Sequence, residues 1–247
     1  MTVGYEVHEQ IAHISFNRPA KHNALRDEDI AALVEALQRL DLDDTAQIAI
    51  LFGQGRSFSS GGDVNERLQR SMDEGTTSGR TNEGRAFLEC ANWKPVIAAV
   101  HGYCLGHAFG TALYCDHLVA TRDAQFELTE IRLGLPTASF LPRLGLPAFA
   151  REVAMTGRRF SAEEAWEAGI VTRLVDPDQH LQAAEELARQ ILENPQWAVR
   201  QNVRTRRMIM EEDTARYQAL VERFDWATSS EAREAIAKLT ARGRDEE

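Results

Sequence analysis

Two stretches of the chain repeat one design: an apolar run, a turn of small residues, then the start of a helix. This design restricts the fold more than any other feature. The stretches are AILFGQGRSFSSGGDVNE (49–66) and VIAAVHGYCLGHAFGTAL (96–113). Their glycines allow the backbone conformations that such a turn demands. A helix N-terminus leaves amides without an intrahelical acceptor and carries partial positive charge. Each turn is therefore a seat for an oxygen bearing negative charge, and two facing each other would form an oxyanion hole. Either stretch alone also fits a purely structural role, with glycines serving tight turns and close packing. The pair favours the ligand reading.

Strand and helix patterns alternate around these stretches. VGYEVHEQIAHISFNRP predicts two short strands about HEQ, the second alternating Ile11, His13 and Ser15 against Ala12, Ile14 and Phe16. RDEDIAALVEALQRLDLD places Ile30, Leu33, Val34, Leu37 and Leu40 at helical spacing, with acids in the first turn. QIAILFG, KPVIAAV and DHLVAT read as strands and GRAFLECANW as a helix. SAEEAWEAGIVTRLV holds a capping box from Ser161 to Glu164, a helix, a stop at Gly169 and a strand. SMDEGTTSGRTNEG (71–84) has almost no large apolar residue and is either a lid or a solvated linker. From HLQAAEELARQIL onward the pattern is helical, broken at Pro195, with weak periodicity after about residue 229 that suggests a partner subunit. The expected class is α/β, with a core over 1–190 and a C-terminal helical region over 191–247.

Several functions are disfavoured. With 247 residues the chain can bury a core without staples. No apolar run approaches the roughly 20 residues that span a bilayer, and MTVGYEVHEQ lacks the pattern of a secretory signal. A cytoplasmic protein with no membrane role is expected. The three cysteines show no C-x-x-C spacing and are expected as free thiols. A formal charge of −10 argues against nucleic-acid binding but leaves room for a small anion held by a local basic patch. Gly102, Gly106 and Gly110 do not form a dinucleotide fingerprint, no phosphate-binding P-loop occurs, and GRSFS fails as a nucleophile elbow. Cys104, His107, Cys115 and His117 would be splayed around a helix beginning at 107, so no metal is expected.

Four segments, in order, are specific. NRPAKHNAL, FSSGGDVNE, KPVIAAVHGYCLGHAFGTALYCDHLVATRDAQFELTEIRLGL and TGRRFSAEEAWEAGIVTRLV together resemble the enoyl-CoA hydratase/isomerase (crotonase) family, from about residue 3 to about 210. The resemblance implies a crotonase-like spiral of ββα repeats with a C-terminal helical trimerisation region, assembled as a homotrimer or dimer of trimers. It also implies an acyl-CoA thioester as substrate and no separate cofactor. Carried over by position, Gly62 and His107 give the two oxyanion amides. Lys21, His22, Ala24, Ser59, Ser60 and Gly62 line the coenzyme A path, and Asp63 is a helix-starting acid. Losing one such donor costs roughly 100- to 1,000-fold in rate.

The family's hydratases hold a water between two glutamates. The second falls on Glu130 in LTEIRLGL, whereas the first falls on Gly110, which has no side chain to orient water. One base still suffices to take a proton from the α carbon of a thioester and return it at the γ carbon, which favours isomerisation. An apolar setting would raise the Glu130 pKa toward the working range. The alternatives are a hydratase or hydrolase in which His107 or Glu127 completes a water site, and a non-catalytic acyl-CoA-binding or assembly subunit. The His107 ring is open to a role as acid, base or water holder, or as a hydrogen-bond donor to a carbonyl. Pro136, followed by TASF, is expected to reshape the acyl pocket wall.

Overall fold

A computed structural model describes residues 2–63, 83–134, 137, 143–145 and 147–221, together with 230, 234 and 238. The stretch 71–82, the helix expected after Asp63, Pro136 and the tail after 221 lie outside the described residues, apart from those three positions.

The chain opens with the expected hairpin of β1 (Val3–His8) and β2 (Ile11–Phe16), paired antiparallel from Val3↔Phe16 to His8↔Ile11. Its two turn residues, Glu9 and Gln10, have φ of 48° and 69°, the positive values that type I′ hairpin turns need. Helix α1 (Asp27–Leu42) follows, then β3 (Ile48–Gly53), α2 (Glu83–Leu88), β4 (Val96–Val100), β5 (Tyr103–Leu105), α3 (His107–Tyr114), β6 (His117–Thr121) and β7 (Gln125–Glu127). A 3-10 turn at Thr129–Leu133 leads on to α4 (Pro147–Thr156), β8 (Phe160–Ser161), α5 (Ala162–Glu167), β9 (Arg173–Val175), α6 (His180–Leu192) and α7 (Gln196–Val221).

Six strands form one sheet in the order β1-β2-β3-β4-β6-β9, parallel from β2 onward. Every residue of β3 and β4 is buried, as expected of parallel strands covered on both faces. Alternate residues feed two cores. Ala49, Leu51, Ala98 and Val100 join the larger core with α1 and α3, whereas Ile48, Ile50, Ile97 and Ala99 meet Ala183, Ala184, Leu187 and Ala188 of α6. A second sheet, β5-β7-β8, is extended by bridges from Ser59 to Cys104 and from Leu25 to Gly62. Successive repeats thus each send a long strand to the main sheet and a short extended piece to this smaller ladder, which is a spiral of ββα units.

The helix expected over GRAFLECANW ends at Leu88. The Asp41 carboxylate accepts from the backbone amides of Ala91 and Asn92 at 2.7 and 2.8 Å, and Trp93 has φ of 54°, so the chain turns away to enter β4. The capping box at Ser161 forms, and Gly169 follows the end of α5 with φ of 79°. Among the described residues, no helix is long and apolar enough to cross a membrane.

Candidate active site

The stretch 57–63 runs between two neighbours. On one side, Phe58 N donates to His101 O at 2.8 Å, Ser59 N to Tyr103 O at 2.9 Å, and Leu105 N to Ser59 O at 3.1 Å. On the other, Ser60 N donates to His22 O, Leu25 N to Gly61 O, and Asp63 N to Leu25 O, at 2.9, 2.7 and 2.8 Å. Since Gly61 O and Asp63 N both turn toward Leu25, the alternation of an extended chain directs the Gly62 amide the opposite way. Gly61 has φ of 95°, and a methyl group there would stand 2.6 Å from Leu105 O and 3.6 Å from His107 N. The absence of a side chain at Gly61 is what lets the two turns touch.

The second turn is built on Gly106, the residue before α3, with φ of 50° and its amide donating to Glu127 O at 2.8 Å. His107 is the first residue of α3, and Gly110 N makes the helical bond back to Gly106 O at 3.0 Å. A methyl group on Gly106 would collide with Thr129 Oγ1 and lie 3.2 Å from Glu130 Oε1. Glu130 stands on the 3-10 turn that ends at left-handed Gly134. Its Oε2 and the His107 Nε2 are both shielded from solvent. Gly110 is buried within α3. The fold therefore gathers Gly61, Gly62, Gly106, His107 and Glu130 at one place, the N-terminal end of α3.

The residues expected along the coenzyme A path divide. Lys21 is exposed and Ala24 half-buried, and the Ala24 carbonyl accepts from Arg18 at 2.6 Å. His22 Nδ1 lies 3.0 Å from Ser57 Oγ, and its ring meets Tyr103 edge-on at 5.8 Å. Ser59 is fully buried, its hydroxyl donating to Asn23 O and accepting from Gly61 N, so its side chain holds the turn. Ser60 is half-buried. The Asp63 carboxylate pairs with Arg18 at 3.3 Å.

Asn23, which sequence reasoning did not single out, holds these segments together. Its Nδ2 donates to the carbonyls of Gln54, Ser57 and Phe58 at 2.9, 2.8 and 3.2 Å, and its Oδ1 accepts from Arg18 N at 2.9 Å. It has φ of 54°, a conformation asparagine tolerates better than most residues, and an asparagine beside a turn is the signal that could have found it. Glu127 is buried, with its carboxylate between Arg132 and Arg159 at 2.8 and 3.1 Å. Burial pushes the Cys104 thiol well above its usual pKa, which removes it as a nucleophile. Among the described residues, no group of three or more His, Cys, Asp or Glu side chains is arranged to hold a metal ion. A cavity of about 680 Å³, lined in part by Leu113, Asp116, Arg206 and Ile209, lies at the C-terminal end of α3, about 12 Å along the helix from His107.

The fold is a spiral of ββα units with two glycine turns and one carboxylate at the N-terminal end of α3, and sequence comparison gives the family. A model of the enoyl-CoA hydratase/isomerase family matches residues 6–238, and the chain belongs to that family, the crotonases, which process acyl-CoA thioesters. It is 35% identical to (E)-benzylidenesuccinyl-CoA hydratase of Thauera aromatica over 78% of this chain and 75% of that one. It is 33% identical to crotonyl-CoA hydratase of Syntrophomonas wolfei over 79% and 77%. Among solved structures, the enoyl-CoA hydratase/isomerase of Pseudoalteromonas atlantica superposes with a TM-score of 0.84 at 26% identity, covering 98% of each chain. That of Mycobacterium paratuberculosis gives 0.81 at 25% identity, over 96% of this chain and 98% of the other.

Proposed function

We propose that this enzyme stabilises the enolate of an acyl-CoA thioester between the amides of Gly62 and His107, and that Glu130 alone transfers the proton. The observation that carries this reading is the place of Glu130, with Oε1 3.2 Å from the β-carbon position of Gly106, immediately before His107. Gly110 stands where a second acid would project from α3. In the favoured reaction Glu130 takes the α proton of a 3-enoyl thioester, and the electron pair moves onto the carbonyl oxygen facing the two amides. The protonated carboxyl then returns its proton at the γ carbon, leaving the 2-enoyl thioester. Fixed amide donors at the developing charge supply the main stabilisation. The core over 1–190, the C-terminal helical region over 191–247 and assembly as a homotrimer or dimer of trimers belong to the same proposal.

A second reading, addition or removal of water, is favoured by the names of the relatives, a hydratase in both cases. There the His107 ring, at the first position of α3, would hold the water that a second glutamate holds elsewhere. Incubation with 2-enoyl-CoA and 3-enoyl-CoA in heavy water, followed by mass, separates the two. Deuterium uptake with bond migration is the expected result, and a product heavier by one water supports the second reading. Glu130→Gln should abolish exchange, and full activity in that variant removes Glu130 from the mechanism.

A further inference from the structure

Glu127 ends β7, three residues before Glu130, with its side chain only 4% exposed. Each carboxylate oxygen faces one guanidinium: Oε1 is 2.8 Å from Arg132 Nη1, and Oε2 accepts from Arg159 Nε at 3.1 Å. Its backbone carbonyl accepts from the amide of Gly106, the residue before α3. One residue thus reaches three places. Its backbone holds the N-terminal end of α3, one oxygen holds Arg132 on the turn that carries Glu130, and the other holds Arg159. The Arg159 guanidinium in turn lies over the Tyr103 ring at 5.4 Å, beside His22.

The Glu130 turn needs such a tie. It is a short 3-10 segment, whose hydrogen bonds are weaker than those of an α-helix, and none of its residues is buried. Thr129 and Glu130 pack on Gly106 and Ile131 on Gly157, and the link to Arg132 adds to those contacts. A buried carboxylate between two cations adds little net stability compared with apolar residues of similar volume, and in some proteins such groups serve to fix one geometry.

We propose that Glu127 is a positioning residue, which through Arg132 and the Gly106 amide fixes Glu130 relative to the start of α3. This rests on the reading of Glu130 as the proton-transfer group. Both Glu127 oxygens are committed to guanidinium donors, so its role runs through Glu130 and not through substrate.

The test uses 3-enoyl-CoA and the full-length protein. Misplacing a reacting group by about 1 Å costs on the order of 100-fold. Arg132→Gln cuts the tie at a half-exposed side chain and should lower kcat about tenfold or more with KM changed less than about twofold. Arg132→Lys should recover most of the loss, and Glu127→Gln should resemble Arg132→Gln. A fall in melting temperature with kcat unchanged in Arg132→Gln would overturn the proposal, as would loss of turnover in Glu127→Gln alone. Should Glu127→Gln fail to fold, the two Arg132 variants decide. Glu130→Gln is measured beside them: if it keeps full activity, the proton-transfer reading fails, whereas a silent Arg132→Gln beside an inactive Glu130→Gln refutes only the positioning role.

Discussion

Asn23 shows how much of the site depends on one side chain. Three carbonyls on the 54–58 stretch share its amide, and its own carbonyl accepts from Ser59. It is 1% exposed, so removing the amide leaves buried acceptors unmatched. Asn23→Ala should cost about 2–3 kcal/mol, read as a lower urea midpoint with unchanged slope. A loss below about 0.5 kcal/mol would mean that water replaces the amide. The residues flanking Asn23 were legible through the family resemblance because they lie on the expected ligand path. Asn23 was not, because its value depends on carbonyls more than thirty positions away. Glu127 was legible as an acid that could complete a water site; the arginines that occupy it come from the next turn and from the residue before β8.

At the scale of elements, α3 is held at both ends. Its N-terminal end meets Gly61 and Glu127, and its C-terminal end is covered by Arg206 of α7. Arg206 donates to the carbonyls of Leu113, Tyr114 and Cys115 at 3.4, 3.3 and 2.8 Å and pairs with Asp116 at 3.2 Å. Cations at a helix C-terminus are favourable, by up to about 2 kcal/mol in partly buried settings. Arg206→Ala should therefore lower unfolding stability by about 1–2 kcal/mol in a urea titration. No change would show that α3 is held by its packing alone. Neighbouring Arg207, 3% exposed, pairs with Asp116 at 2.7 Å and donates to Lys94 O. The inner face of α7 thus carries Arg207 beside Val203 and Met210. By contrast α1 and α6 follow their apolar spacing closely, since apart from Asp29 and His180 in their first turns their buried residues are all aliphatic.

Across the whole molecule, one contact ties α6 to the end of β4. His180, the first residue of α6, stacks on His101 with ring centroids 4.2 Å apart and planes at 25°. Burial, aided by His101, lowers the His180 pKa to about 4, although Asp178 and Asp123 pull the other way. The unfolded chain takes up a proton on this ring near pH 6.5, the folded one only near pH 4. The folded state therefore loses stability as pH falls through that interval. His180→Gln should lose less melting temperature than the parent protein between about pH 7 and about pH 4.5, and an equal loss would remove the stacked pair as the cause. The sequence by itself determined the alternation of strands and helices, the hairpin, the capping box and the two glycine turns, since each is set by periodicity or backbone freedom within a few residues. It also carried the family, and with it the expectation for Gly62, His107 and Glu130. Only the tertiary structure decided which polar groups hold those turns in place. Asn23, Glu127 and Arg207 are polar residues whose burial is tolerable because the fold brings them partners such as Ser57, Arg159 and Asp116 from more than thirty positions away, and no local pattern encodes a partner that far along the chain.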